Sequence, residues 1–399
     1  MDMSLPPLHR LKILDLSQHA PGPFATMILG DLGAEVTHVV HPAASSGPSY
    51  FQQVLDDPLF GIRFSSKDTL MRNKRSIALD LKTESGREVC RQLALQCDAM
   101  VVEMRPGKLA KFGLDHASLK VANPGLITCY ISGYGSDGPR AQSAGHDLNY
   151  VALSGALELM RDSNGEPLQP QNILADYAGG GYLAVIGILA ALAARARTGQ
   201  GQEIDVGMLD GALLTLADLF SAPLNGIGRV SNWRSTLGGG LPNYRCYRCS
   251  DGRYLAVAAL EKRFCETLLS ELNLAHLLDD LDNGRNNASV TQALASAFGE
   301  KPRVYWLDLF DGKDVCVTPV LEMAEIVDEP QVRARELVVD RFGVHQIAPA
   351  PRFSETPSSI RSAPAQPGYH TKEILVELGY DQMSIERIIA SGAVGLGTP

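Results

Sequence analysis

The chain has 399 residues, 45% hydrophobic and 20% charged, with a formal net charge of −9. That length exceeds what one simple core organises, so two domains, or one large domain with an insertion, are expected. The acidic balance argues against nucleic acid or an anionic membrane as the main partner, and leaves an anionic small ligand open wherever basic residues gather.

In chain order, LKILDLS (11–17) predicts a short strand ending at a turn, and PGPFATMILGDLGA (21–34) a helix, with prolines in its first turn and glycine at its close. EVTHVV (35–40) reads as a second strand. This β-α-β order predicts parallel strands with right-handed crossovers. It continues with a helix over 83–96, a strand over 98–104, and a strand over 125–135 that runs into a glycine-rich loop. Open α/β sheets bind ligands beyond the carboxyl ends of their strands. The first turn reads SQHAPGPFA, without G-x-G-x-x-G, and the chain holds no G-x-x-x-x-G-K-[ST]. NAD-dependent chemistry and phosphoryl transfer are therefore set aside.

The most apolar run, GYLAVIGILAALAA (181–194), has 14 residues and stops at Arg195. A membrane span needs ~20, so the run reads as a buried helix. A strand over 203–208 and a helix over 209–224 follow. The stretch 225–244, rich in Gly, Asn and Ser, reads as a linker or active-site loop leading into a smaller domain, with a strand over 253–260 and a helix over 261–273. From about residue 330 the chain is extended and punctuated by proline, and a last helix covers 371–379. The expected division is a large domain over 1–224, a linker and small domain over 225–329, and a segment over 330–399 that returns to the large domain.

Seven scattered cysteines form no disulfide framework and suit a reducing compartment. Cys246 and Cys249 make one C-x-x-C, but the second ligand pair of a zinc site is missing, and the alternation around them reads as a strand. The N-terminus lacks the pattern of a secretion signal and the last residues are not a peroxisomal tripeptide, so a cytoplasmic location is expected.

Three residues stand out as chemistry-bearing. His146, in AGHDLNYVALSG, precedes an apolar helical run; it is either a cap or surface histidine or a working acid/base. Asp176, in NILADYAGGGYLAV, suits a helix N-cap. It also suits a carboxylate at the positive end of a helix, where three glycines would let a ligand reach backbone donors. Glu261, in AVAALEKRF, marks a strand-to-helix junction, as a solvated helix start or as a carboxylate orienting a histidine. Arg72, Lys74, Arg75, Lys82, Arg105, Lys108 and Lys111 are either solvated surface or a polyphosphate handle of the kind coenzyme A requires.

The segments APGPFATMILGDLGAEV, RNKRSIALDLK, NPGLITCYISGYGSDGP, AGHDLNYVALSG, LADYAGGGYLAVIGILAALAARARTGQGQ, DGRYLAVAALE and DGKDVCVTPVL, in this order, resemble the family III CoA-transferase (CaiB/BaiF) superfamily, and within it the α-methylacyl-CoA racemase branch. The resemblance implies a Rossmann-like α/β large domain with a parallel sheet, a smaller α+β domain, and two chains threaded into an interlocked homodimer. Its active site would lie between the large domain of one chain and the small domain of the other. It also implies acyl-CoA substrates and no metal or redox cofactor, coenzyme A entering as part of the substrate.

Two chemistries share this scaffold. Transferases use the aspartate matching Asp176 as a nucleophile, through acyl-aspartyl and aspartyl-CoA thioesters. Racemases use it as one of two bases. The other is the histidine matching His146, paired with the carboxylate matching Glu261. A basic residue after Gly145 is the racemase-like version, with His146 serving the S face of the α-carbon and Asp176 the R face. Substrate and coenzyme A contacts are implied at His41, Arg72, Lys74, Arg75, Leu79, Asp80, Leu81, Lys82 and Arg105. Gly145, Asp147, Leu148, Asn149 and Tyr150 join them around the histidine. His41 stands where racemases carry an arginine on the coenzyme A phosphates, a weaker and pH-dependent substitute. The segment 43–70 is longer than in the racemases, RNKRS after it resembles transferases as much as racemases, and the glycine-rich 237–244 is a transferase habit, which keeps the transferase alternative open.

Overall fold

The computed structural model describes residues 5–45, 62, 65–162, 164–227, 236–282 and 287–397. The chain divides into two compact units. One comprises Met1–Ser154, Pro170–Thr215 and Arg335–Pro399; the other comprises Gly155–Gln169 and Leu216–Ala334. Residues 46–61 and 63–64 of the long segment 43–70, and 228–235 of the loop 225–244, lie outside the described residues.

The first unit is built on a sheet of β1 (Lys12–Leu16), β2 (Glu35–Val40), β3 (Lys74–Leu79), β4 (Ala99–Val102), β5 (Ile127–Ser132) and β6 (Glu203–Gly207). Their spatial order is β3-β2-β1-β4-β5-β6, all parallel, with the short strand Val394–Gly395 added antiparallel outside β3. Every residue of β4 is buried, the unbroken apolar run of a strand covered on both faces. The strand order reverses between β1 and β4, the point at which such sheets open a crevice at their carboxyl ends.

α1 (Pro21–Asp31) starts on prolines, and α2 (Glu84–Gln96) on Thr83, whose hydroxyl accepts the Gly86 N–H. α3 (Asp147–Ser154) follows the loop after β5. A π-helix, Ile173–Tyr182, continues directly into α4 (Leu183–Thr198), and α5 (Met208–Leu214) follows β6. The π-helix and α4 together make 26 helical residues, long and apolar enough by length and composition to cross a membrane. The run is thus longer than the 14-residue buried helix expected, and only one face is covered. Ala184, Val185, Ile188 and Ala191 are buried, whereas Tyr182 and Ile186 are more than half exposed.

The strand at 74–79 is one that pattern reading did not register, because it opens on cations. Lys74 is nevertheless fully buried. Its ammonium donates to Asp15 Oδ2 at 3.1 Å, to Thr26 Oγ1 at 2.7 Å and to the Pro23 carbonyl at 3.0 Å. Burial raises the Asp15 pKa, but Lys74, His38 and the Ser17 and Thr26 hydroxyls together hold it below the ordinary range. Arg72 is likewise buried, forked onto Asp31 at 3.0 and 2.6 Å and donating to the Ile347 carbonyl at 2.7 Å. The returning C-terminal segment is stitched down by Asn73, whose side chain donates to the Ser359 carbonyl and accepts the Arg361 N–H.

The second unit carries an antiparallel sheet of β7 (Tyr244–Arg248), β8 (Tyr254–Ala258) and β9 (Val317–Pro319). Around it lie α6 (Lys262–Glu271), α7 (Asn287–Gly299) and α8 (Arg303–Phe310). Its core centres on Phe298, Trp306, Phe310, Leu268 and Leu269. Arg253 and Arg303 both pair with Glu325, which holds that carboxyl down at about 2.

Candidate active site

The loop that leaves β5 is shaped by aromatic rings lying where only glycine fits. A β-carbon on Gly133 would sit 2.5 Å from the Tyr150 ring, and one on Gly145 would sit 2.7 Å from Tyr134 Oη and Tyr150 Cε1. The Tyr150 hydroxyl donates to the Gly145 carbonyl at 2.6 Å. His146 follows. Its N–H donates to Asn149 Oδ1 at 3.0 Å and its carbonyl accepts the Asn149 N–H at 2.8 Å, so the residue opens α3 with its imidazole exposed.

The next residue points inward. Asp147 is buried, and its Oδ1 accepts the N–H groups of Ala175 at 2.9 Å and Asp176 at 2.8 Å. Burial raises its pKa and the two donors offset only part of that, so the carboxyl stays above the ordinary range. One short side chain thus ties the backbone of His146 to that of Asp176, inside the first unit.

Asp176 is not the helix cap that pattern reading allowed. The π-helix begins three residues earlier, and Asn172, four residues back, donates to Asp176 Oδ2 at 3.0 Å. Single π-turns are the usual form of this helix and gather at functional sites. The glycines that follow also differ from expectation. β-Carbons would strike Ala212 N at 2.8 Å from Gly179, Pro21 at 2.9 Å from Gly180, and the Phe24 ring at 2.6 Å from Gly181. They let α5 and α1 close against the π-helix, and all three are buried rather than open to a ligand.

Arg72 and Lys74 are corrected as coenzyme A contacts, since both are enclosed in ion pairs of the fold. Arg75 pairs with Glu373 and Glu377. It borders a cavity of about 370 Å³ at the amino ends of β1 to β3, on the opposite edge of the sheet from His146. Leu79 is buried and Leu81 partly so, while Lys82, Arg105, Lys108 and Lys111 are exposed. His41 lies 3.7 Å from Asp80. Leu148 and Asn149 are exposed on the first turn of α3. Glu261 lies in the second unit, exposed at the start of α6 and making no side-chain cap to that helix.

Pattern reading passed over Asn172 and Glu103. The first was signalled by its four-residue spacing from Asp176, the second by an acid closing the wholly apolar strand MVVE.

A six-stranded parallel sheet in 3-2-1-4-5-6 order, with a histidine and an aspartate beyond strand ends, is the doubly wound class of fold that takes small ligands in the crevice where the strand order reverses. Residues 8–371 match the model of CoA-transferase family III, and the chain belongs to that family. It is similar to the alpha-methylacyl-CoA racemase of Homo sapiens, 36% identical over 399 residues that cover 97% of this chain and 98% of that one. It is also similar to the succinyl-CoA:glutarate CoA-transferase of Mus musculus, 33% identical over 403 residues, covering 98% and 91%. Among solved structures, a CAIB/BAIF family protein from Brucella suis superimposes with a TM-score of 0.80 at 30% identity, covering 94% of this chain and all of that one.

Proposed function

We propose that the protein is a racemase that inverts the α-carbon of 2-methylacyl-CoA thioesters by two-base proton transfer through an enolate. The observation that carries this reading is the Asp147 link, in which the residue next to His146 accepts the backbone N–H of Asp176 and so holds the two candidate bases on one framework. A thioester acidifies its α-proton, and inversion needs one base on each face. His146 takes the proton from the S epimer while Asp176 delivers one to the opposite face; the reverse reaction exchanges the roles. The developing enolate oxygen needs donors. The N–H groups of Asp147 and Leu148 belong to the first turn of α3, where helix geometry provides no internal acceptor. His41, Lys82 and Arg105 are the proposed handle for the coenzyme A phosphates. Glu261 is proposed as the countercharge of the imidazole, supplied by a second copy of the chain as the family resemblance implies. The chemistry calls for no metal or redox cofactor, and a cytoplasmic location belongs to the same proposal.

A second reading has one observation in its favour, the 33% identity to a CoA-transferase over nearly the whole chain. Asp176 would then be the nucleophile. Proton NMR of (R)-2-methylacyl-CoA with the enzyme in D₂O, without acceptor acid, separates the two. Racemisation collapses the methyl doublet and accumulates the S epimer, and His146→Ala and Asp176→Ala each block it. Substrate that stays unchanged until a free carboxylate is added, with hydroxylamine then trapping an acyl group at Asp176, overturns the racemase reading.

A further inference from the structure

The register of the main sheet sets Leu14, Thr37 and Arg75 side by side across β1, β2 and β3, with Lys12 opposite Glu35 two residues earlier. Side chains two apart on a strand share a face, so all five belong to one side of the sheet. Leu93 and Cys97 of α2 and Ile374 of the helix Thr371–Glu377 pack on the same side as Leu14. Together they leave a gap. All of these residues border the cavity of about 370 Å³ at the amino ends of the three strands. Its volume falls within the ~300–1,000 Å³ usual for small-molecule sites.

The lining combines hydrocarbon with cations whose charge is poorly answered. Leu14, Leu93, Cys97, Ile374 and Leu378 supply the apolar part. Besides Lys74, whose charge Asp15 holds, Lys12, Arg75 and Arg361 bring positive charge, against the carboxylates of Glu35 and Glu377. Arg75 forks onto Glu377 at 2.8 and 3.0 Å and meets Glu373 at 3.1 Å, yet both glutamates are more than half exposed. Its Nε is enclosed and has no acceptor among the described residues. Arg361 donates to the Gly30 and Ala34 carbonyls at 2.7 and 2.8 Å, and makes no ion pair among the described residues. Burial lowers its pKa against the opposing pull of Asp31 and Glu35. Lys12 is exposed and likewise makes no ion pair among the described residues. An enclosed donor and an unneutralised guanidinium both call for an acceptor that carries negative charge. The apolar lining calls for a hydrocarbon body beside it.

We propose that this cavity binds a free carboxylic acid with a short hydrocarbon chain, its carboxylate against Arg75, Arg361 and Lys12 and its chain against Leu93, Ile374 and Leu378. Guanidinium suits that head group because two of its N–H bonds meet both carboxylate oxygens in parallel. Ion pairs with exposed glutamates are worth little, so a ligand carboxylate displaces Glu377 from Arg75 at small cost. The site stands on the opposite edge of the sheet from His146, and the inference holds whichever reaction His146 and Asp176 perform.

Octanoate is the probe, titrated into the full-length protein with ¹³C-labelled isoleucine and leucine methyls. Leu93→Met, Ile374→Met and Leu378→Met assign the reporting cross-peaks. Octanoate should shift those peaks along a saturable curve, and 1-octanol, the uncharged analogue, should bind at least roughly tenfold more weakly. Arg75→Gln should weaken octanoate by roughly tenfold and leave octanol unchanged, as loss of a charge-assisted contact requires. Lys12→Gln, at an exposed position that tolerates substitution, should weaken octanoate about threefold. Reporting peaks that stay in place while others shift would seat the acid elsewhere and overturn the inference. Octanol that binds as tightly as octanoate overturns it too, as does an octanoate affinity unchanged by Lys12→Gln and by Arg75→Gln. If Arg75→Gln fails to fold, Lys12→Gln and the octanol comparison still decide.

Discussion

Two carboxyls of the first unit, Asp147 and Glu103, each accept a pair of backbone N–H bonds, and in each burial outweighs the donors so that the proton is held more tightly than in an unfolded chain. Removing the Asp147 side chain leaves the Ala175 and Asp176 N–H groups without their acceptor. Asp147→Ala should therefore cost about 1–3 kcal/mol in urea unfolding. It should also lower kcat by up to ~10²-fold with KM little changed, since what is lost is the placement of Asp176. Asp147→Asn, which keeps an acceptor oxygen, should recover most of both. For Glu103 the sign of the pH dependence follows from linkage. Its folded pKa of about 7 lies above the 4.5 of an ordinary glutamate, so the native state binds the extra proton between those values. The cost of ionising it grows as pH rises through that window and is constant beyond it. Thermal unfolding should show Glu103→Gln gaining on wild type between about pH 5 and about pH 8, and a gain independent of pH would contradict the assignment.

Among the elements, those with a clean period were readable before the structure: β1, α1, β2, α2 and the strand over 99–102 lie where apolar runs and caps placed them. The failures have physical causes. β3 hides because its first residues are cations, and a lysine becomes a core residue only when an aspartate and a threonine from other elements meet it, which local pattern does not encode. The π-helix has no sequence period of its own, so Asp176 resembled a cap while standing inside a helix. Its glycines resembled a ligand cradle while serving helix contact. That contact is testable at its closest point, where a β-carbon on Gly211 would lie 2.3 Å from Gly179 Cα. Gly211→Ala should push α5 off the π-helix and destabilise the fold by about 1–3 kcal/mol. A fall in kcat should accompany it, because the π-helix that loses this contact carries Asp176. The histidine and aspartate themselves were legible as residue types in context; the Asp147 bond that ties their backbones together was not.

At the scale of the whole molecule, the first unit leaves Ile173, Tyr182, Ile186 and Leu214 more than half exposed, an apolar surface on the helices that border the candidate site. Exposure of that kind marks an interaction surface. The proposed occupant is a second copy of the chain, which predicts a species of about 86 kDa by light scattering, twice the 42.9 kDa chain. The stronger consequence concerns catalysis. If His146 and Asp176 of one chain work with Glu261 of its partner, His146→Ala and Glu261→Ala are each inactive alone yet complement each other when mixed during refolding or co-expressed. In a mixed dimer one site carries both substitutions and the other carries neither. Random pairing makes half of the dimers mixed, each with one of two sites intact, so activity should return to about a quarter of wild type. Two inactive variants that stay inactive together, while light scattering shows them paired, would mean that Glu261 does not serve its partner's imidazole. The charge balancing His146 would then have to come from its own chain.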